Sequence, residues 1–207
     1  MNESLNNIRI VTGESAEAMD KFAAKANKAA KALSASTLDY TDAALIFYQQ
    51  GLKGKDVEDR TEVTLKLANV SRQSAEVVSD QMTAIWNNFY DGSKSLEYYA
   101  DVLTALGAST ASSTEEIAGG LEKFAAVGET IGLSYEYAAS ALATITANTR
   151  QSEEVVGTAL KTIFARVQGL KLGETLEDGT SLNKYSQALE TVGVHIYNAS
   201  GGLKNMD

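Results

Sequence analysis

The sequence predicts an all-α fold built from stacked helix-loop-helix repeats of about 39 residues. Ser74, Ser113 and Ser152 are 39 residues apart, and each precedes a segment with the apolar spacing of a helix. A second set of segment starts recurs at the same interval: Val57, Leu96 and Tyr135. The 207 residues include no proline, so helices run without breaks and the 16 glycines supply the interruptions. A unit of this length buries its apolar face by stacking on its neighbours, which favours a binding or scaffolding surface over a catalytic pocket.

The first predicted helix covers Glu17 to Leu33. Its apolar residues recur at three- and four-residue steps, at Met19, Phe22, Ala26, Ala29, Ala30 and Leu33. Four lysines fall on another face of this helix: Lys21, Lys25, Lys28 and Lys31. A solvated surface is the simplest interpretation of this basic face, and contact with an acidic partner is the alternative.

About three and a half repeats follow, each with an A helix and a B helix. Apolar residues at offsets +4, +8 and +11 from the opening serine form one stripe on the A helices: Val78, Met82 and Ile85, then Ile117, Leu121 and Phe124, then Val156, Leu160 and Ile163. A degenerate earlier copy begins at Ser36. Ser113 with Glu116 fits a capping box, and Ser36 with Asp39 is a weaker version. Glycines are predicted to end the A helices in the left-handed conformation, at Gly51, Gly92 and Gly132. Gly119, Gly120 and Gly157 lie inside A helices, where they are predicted to permit close helix approach.

The pattern changes from Gly169 onward. A short helix is predicted from Leu182 to Val192, and the alternation from Val194 to Tyr197 predicts the first strand of a small β-hairpin. We therefore divide the chain into a helical repeat domain, residues 1–173, and an extension of short helix and hairpin, residues 174–207. We expect this extension to continue into a longer protein.

Composition excludes several classes of function. The formal net charge of −9 argues against nucleic-acid binding, which usually needs a basic face. The absence of cysteine excludes disulfides, thiolate nucleophiles and cysteine-ligated zinc. No stretch is long and apolar enough to predict a membrane span, and the opening MNESLNNIRI does not resemble a secretory signal.

The chain offers little for catalysis. Its one histidine, His195, lies in the predicted hairpin, so a catalytic triad or multi-histidine metal site has no other histidine to use. Three carboxylate pairs occur, at Glu115/Glu116, Glu153/Glu154 and Glu177/Asp178, and the first two stand where a helix begins and negative charge is favoured. No glycine-rich stretch has the ending of a P-loop. We predict no enzyme activity, no cofactor and no metal.

Two tyrosines are candidate partner-contact residues. Tyr98 and Tyr137 share one B-helix position, roughly 100° from the apolar stripe, so both are expected to reach the surface and align across neighbouring units. The alternative is a flanking role in the core. Trp86, Phe89 and Tyr90 end an A helix and are predicted to fill the core.

The run from Ser152 to Gly173, SEEVVGTALKTIFARVQGLKLG, and the following ETLEDGTSLNKYSQALETVGVHIYNASGGLKNMD resemble tail tape-measure proteins of long-tailed bacteriophages and prophages. The likeness rests on a Gly-Thr-Ala-Leu-Lys-Thr-Ile helix, an acidic glycine loop, a Leu-Asn-Lys-Tyr helix and a Val-x-Ile-Tyr-x-Ala-Ser-Gly hairpin. The upstream part, from MDKFAAKANKAAKALSAS, is similar with more drift. The resemblance therefore covers most of the chain.

The resemblance implies a structural and assembly role. Tape-measure proteins set tail length, contact tail tube, tail tip and assembly chaperone proteins, and pass from the host cytoplasm into the virion tail. Homo-oligomerisation is a further expectation, and no nucleic-acid binding is expected of this region. Some members carry a muralytic domain elsewhere, and no residue here matches such a motif. From the residues alone, a cellular helical-repeat adaptor that binds a protein or peptide is the alternative function.

Overall fold

The computed structural model describes residues 2–172 and 188–195, and within them the chain is helical. Nine helices are joined by short turns: α1 Asn2–Thr12, α2 Ala16–Ala32, α3 Thr37–Gln49, α4 Lys55–Ser71, α5 Ala75–Phe89, α6 Leu96–Ser109, α7 Thr114–Thr130, α8 Tyr135–Thr149 and α9 Glu153–Leu172. One further helical turn spans residues 188–191. The all-α prediction is confirmed for this part of the chain.

The helices form two layers. In the first layer α1, α3, α5, α7 and α9 pack side by side in that order, and in the second layer α4, α6 and α8 do the same. Helix α2 lies beside α4, where Lys25 pairs with Glu58 at 2.5 Å. Every extensive contact joins helices no more than two apart in chain order. The chain is therefore a row of helix pairs, each supported by its immediate neighbours.

A constant repeat of 39 residues is not supported. The helices α3, α5, α7 and α9 have 13, 15, 17 and 20 residues, so successive units differ in size. Helix α4 begins at Lys55, two residues before the predicted start at Val57, because Gly54 caps it with φ 55° and no side-chain hydrogen bond. The starts of α5, α7 and α9 do follow Ser74, Ser113 and Ser152 directly.

Both predicted capping boxes are confirmed. The Ser36 hydroxyl accepts from the Asp39 amide at 3.0 Å, and the Asp39 carboxylate accepts from the Ser36 amide at 3.1 Å. The corresponding distances between Ser113 and Glu116 are 3.1 and 2.7 Å. Each box satisfies two backbone donors that have no partner inside the helix, so these serines fix where α3 and α7 begin.

The predicted apolar stripe forms the interface between the layers. Its members in α5 and α7 are at most 1% exposed: Val78, Met82, Ile85, Ile117, Leu121 and Phe124. Val156 and Leu160 of α9 are buried as well, whereas Ile163 is 54% exposed. The prediction that Ile163 belongs to the core is wrong for the described residues, because α9 is the last helix of its layer there.

Glycines bring α7 and α9 together, as predicted. A Cβ atom built on Gly157 would lie 2.7 Å from the carbonyl oxygen of Gly120, which is too close for any side chain. A Cβ atom on Gly120 would lie 2.5 Å from a methyl carbon of Leu142 in α8. Three helices therefore meet at this point with backbone atoms nearly in contact.

Helix α1 was not predicted from the sequence. It packs on α3 and buries Ile8, while Ile10 and Val11 are exposed. At the other end, the predicted helix from Leu182 to Val192 is described only at residues 188–191, which are helical. Val194 and His195 are not in a strand, and the rest of the predicted hairpin lies outside the described residues. No helix in the described part of the chain combines the length and apolarity that a membrane span requires.

Candidate partner-binding surface

Aromatic residues gather where α5 ends and where α6 and α8 begin. Capping serines fix both starts, because Ser95 accepts from the Tyr98 amide and Ser134 from the Tyr137 amide, each at 3.2 Å. These caps place Tyr99 in the first turn of α6 and Tyr135 at the start of α8. The two rings are 4.8 Å apart, so the beginnings of two neighbouring helices are joined by aromatic contact.

Hydrogen bonds from these buried phenols hold the helix ends in place. The Tyr99 hydroxyl donates to the carbonyl of Phe89 at 2.8 Å, and the Tyr135 hydroxyl donates to the carbonyl of Tyr99 at 2.6 Å. Burial raises the pKa of Tyr99 and raises that of Tyr135 well above its ordinary value. Both phenols therefore remain protonated donors at neutral pH.

Trp86 fills the core, as predicted. It is 1% exposed, and its indole nitrogen donates to the carbonyl of Leu96 at 3.3 Å. The guanidinium carbon of Arg60 lies 4.9 Å from the Trp86 ring centre and 5.7 Å from that of Tyr90. Tyr90 is 39% exposed, so the prediction that it fills the core with Trp86 is wrong.

The two candidate contact residues have different surroundings. The ring of Tyr98 is half-buried, meets Tyr99 edge-on at 5.7 Å and carries the Lys94 ammonium 5.1 Å from its centre. Its hydroxyl donates to the Glu136 carboxylate, and this bond raises the pKa of Tyr98. Tyr137 is 43% exposed. Tyr98 is thus a held side chain and Tyr137 an open one, although they share one helix position.

A cleft of about 440 Å³ opens beside Tyr98 and is called the Tyr98 cleft below. Its walls come from three elements, namely the turn before α6, the first turn of α6 and the joint between α7 and α8. The residues that define its chemistry are Asp91, Lys94, Tyr98, Tyr99, Glu129 and Glu136. Three carboxylates face one ammonium here, so at neutral pH the cleft carries an excess of negative charge.

Sequence reasoning found Tyr98 and missed the residues around it. Lys94, Glu129 and Glu136 lie in separate turns and helices, so only the packing of α6 on α8 brings them to Tyr98. One signal was present, because Glu136 stands 39 residues after Glu97 and shares its place in the first turn of a second-layer helix.

The residues considered for catalysis do not converge among the described residues. Glu115 and Glu116 lie in the first turn of α7, and Glu153 and Glu154 lie in the first turn of α9. His195 is exposed, and the pair at Glu177 and Asp178 lies outside the described residues. No group of three or more acidic, histidine or cysteine side chains in the described part of the chain is placed to hold a metal ion.

Comparison with known families identifies the class of protein. The family model described as phage-related minor tail protein matches residues 24–207, from the middle of α2 onward. The chain belongs to this family. No solved structure matches it. Family membership makes this minor tail protein a structural component of a phage tail and favours that role over the alternative of a cellular adaptor.

Proposed function

We propose that this minor tail protein is a folded module of a tape measure protein, and that it acts in tail assembly through contacts made by its helix faces. The family match and the sequence resemblance support a tail protein of this kind. The observation that carries the proposal is the two-layer row, in which nine helices of 11 to 20 residues fold back on one another. Such a row presents surfaces, and its interior is filled by side chains.

The dimensions favour a module over a ruler. The longest helix, α9, has 20 residues and so spans about 30 Å, whereas all 207 residues in one unbroken helix would reach only ~310 Å. Side-by-side packing shortens the row several-fold. In our proposal the measuring rod belongs to another part of a longer protein, and this part supplies attachment.

The expected partners are tail tube, tail tip and tail assembly chaperone proteins, with self-association as a further mode. The Tyr98 cleft and the exposed Tyr137 are the surfaces we assign to these contacts. The net charge of −9 favours protein partners over nucleic acid. The module would act in the host cytoplasm during assembly and then in the virion tail, with no catalytic step of its own.

Deletion of one helix pair from the parent phage gene tests the proposal. Removing Leu96 to Ser134 in frame joins Ser95 to Tyr135, so one capping serine replaces another at the start of a second-layer helix. We expect tails of unchanged length or a failure of assembly. Tails shorter by about 58 Å in electron micrographs, the rise of 39 helical residues, would contradict the proposal by showing that this region is stretched as part of the ruler.

A second variant separates loss of contacts from loss of folding. Circular dichroism of the purified shortened chain reports whether its helices survive. The double substitution Tyr98→Ala and Tyr137→Ala keeps the full length and alters only surface contacts. We expect fewer assembled tails of normal length from this variant, and a normal yield of tails would count against contacts at these residues.

A further inference from the structure

The Tyr98 cleft has more acid than the fold around it requires. Glu136 stands in the first turn of α8, where the helix macrodipole favours a carboxylate. Glu129 stands in the last turn of α7, where the same dipole disfavours one. Asp91 is exposed in the turn before α6 and accepts from the Ser93 amide at 2.8 Å. Helix stability therefore does not account for the charge of Glu129, which lines the cleft together with Glu136.

The aromatic wall of this cleft already carries a cation. The ammonium of Lys94 lies 5.1 Å from the centre of the Tyr98 ring, within the range of a cation–π contact. Lys94 is exposed and sits in the turn between α5 and α6, so its long side chain is easily displaced. A cation from outside can take the same position.

A guanidinium group fits these surroundings better than an ammonium group. It is planar and weakly hydrated, stacks on aromatic faces and binds carboxylates through two parallel hydrogen bonds. The Tyr98 hydroxyl bonds to Oε1 of Glu136, and a carboxylate accepts at both of its oxygens. Arg60, placed over Trp86 and Tyr90, shows the same pairing of guanidinium and aromatic rings elsewhere in this chain.

We infer that the Tyr98 cleft binds an arginine side chain from a basic segment of another protein. The guanidinium replaces the Lys94 ammonium on the Tyr98 ring and pairs with Glu129 and Glu136 at the rim. The inference rests on the proposed function, since it names the chemistry of the partner at the same surface. Charge complementarity selects this occupant, because three carboxylates face one ammonium in the cleft.

The test uses the whole 207-residue chain and a short synthetic peptide with two arginines among glycines and serines. A matched peptide has glutamine in place of each arginine. Backbone amide spectra of the isotope-labelled protein should shift around Lys94, Tyr98 and Glu136 with the arginine peptide and stay unchanged with the glutamine peptide. Equal shifts with both peptides, or shifts confined to residues outside the cleft, would overturn the inference.

Two substitutions should change the affinity in opposite directions. Glu129→Gln removes a rim carboxylate and should weaken binding about threefold, because an exposed ion pair contributes modestly. Lys94→Gln removes the competing ammonium and should strengthen binding by about the same factor. The controls Asp20→Asn and Lys161→Gln make the same charge changes at exposed positions outside the cleft. If the controls change the affinity as much as the cleft variants do, the binding reflects net charge alone and the inference fails.

The failure of this inference and that of the proposed function can be told apart. Peptide binding is measured on the purified chain, whereas the tail role is measured by the length and yield of tails. Absent or non-specific peptide binding, together with defective assembly of the Tyr98→Ala and Tyr137→Ala variant, would overturn the arginine assignment alone. Specific peptide binding with tails shortened by the deletion would overturn the compact module and leave the cleft chemistry standing.

Discussion

Tyr98 of α6 donates a hydrogen bond to Glu136 of α8, the last of three glutamates spaced 39 residues apart in the second layer. Each glutamate lies near the start of its helix and accepts from the preceding helix of that layer, in the pairs Lys25–Glu58, Lys66–Glu97 and Tyr98–Glu136. Negative charge is favoured near a helix start, so these positions suit both the helix and the contact between helices. Neighbouring second-layer helices are therefore linked by one recurring polar contact.

The Tyr98–Glu136 contact should contribute a small coupling energy. In a double-mutant cycle with Tyr98→Phe and Glu136→Gln, urea unfolding should give a coupling of about 0.5 kcal/mol, because exposed polar pairs are worth roughly 0.2–1 kcal/mol. Tyr137→Phe serves as the control partner for Glu136→Gln and should give no coupling. Equal coupling energies for Tyr98 and Tyr137 would show that the hydroxyl contact does not link the two helices.

Alanine should be tolerated at one buried helix glycine and not at another. Gly157→Ala places a methyl group 2.7 Å from the carbonyl oxygen of Gly120, so α9 must move away from α7, and stability should fall by about 1–3 kcal/mol. Gly128→Ala places its methyl group 3.5 Å from the Phe124 ring, an ordinary contact, and should be neutral or stabilising by up to about 1 kcal/mol. Thermal unfolding of the two variants, followed by circular dichroism, would measure the difference. Equal changes in melting temperature would show that the crossing of α7 and α9 is looser than described.

Ser34 should be improved by glycine. It has φ 55° after the end of α2, and the Ala35 amide bonds to the carbonyl of Ala30 at 2.9 Å, which is the hydrogen bond of a glycine-terminated helix. Ser34→Gly removes the strain of the left-handed conformation and should raise the free energy of unfolding by up to about 1 kcal/mol. The converse change, Gly51→Ala at φ 85° with no neighbouring atoms within 4 Å, should lower it by about 1 kcal/mol. Chemical denaturation of both variants gives the two signs, and a loss of stability in Ser34→Gly would contradict the assignment.

Stability should fall above pH 10. The pKa values of Tyr40, Tyr99 and Tyr135 are raised in the folded state above the ordinary 10.0, with burial as the largest cause. The folded protein then holds protons that the unfolded chain releases. This stabilisation is therefore complete below pH 10 and is lost as the pH rises toward the folded pKa values.

An alkaline titration measures this loss. Helix content by circular dichroism and tyrosinate absorbance should change together above pH 10, because the buried phenols ionise only as the fold opens. Tyr135→Phe should lower stability at neutral pH, since it removes the 2.6 Å bond to Tyr99, and should flatten the decline above pH 10. Full ionisation of all nine tyrosines with the helices intact would contradict the assigned burial.

Much of the fold could be predicted because its signals are local. Serine caps gave the starts of α3, α5, α7 and α9, and glycines with positive φ gave the joints at Gly51, Gly92 and Gly132. These signals depend on a few neighbouring residues, so the sequence contains them. Helix α4 was misplaced by two residues because its cap, Gly54, has no side chain to reveal it.

The remaining features depend on contacts between distant residues. Helix α1 is short and exposes Ile10 and Val11, and its burial of Ile8 arises only where it packs on α3. The candidate site was found in part, since helical spacing placed Tyr98 at the edge of the core. The carboxylate of Glu136 approaches Tyr98 only because α8 lies beside α6. Periodicity gave Tyr98 and Tyr137 the same description, and tertiary neighbours made them different.

The order of helix contacts has a mechanical consequence. Because each helix in the described residues packs extensively only on helices one or two places away in the chain, a pull on the two ends would detach helices from the row in sequence. The work of extension is then divided into several modest steps, seen as a sawtooth in a force–extension trace, and the helices further along the row stay packed until the force reaches them. A module of this kind can be drawn out gradually where a fold with one interlocked core would give way all at once.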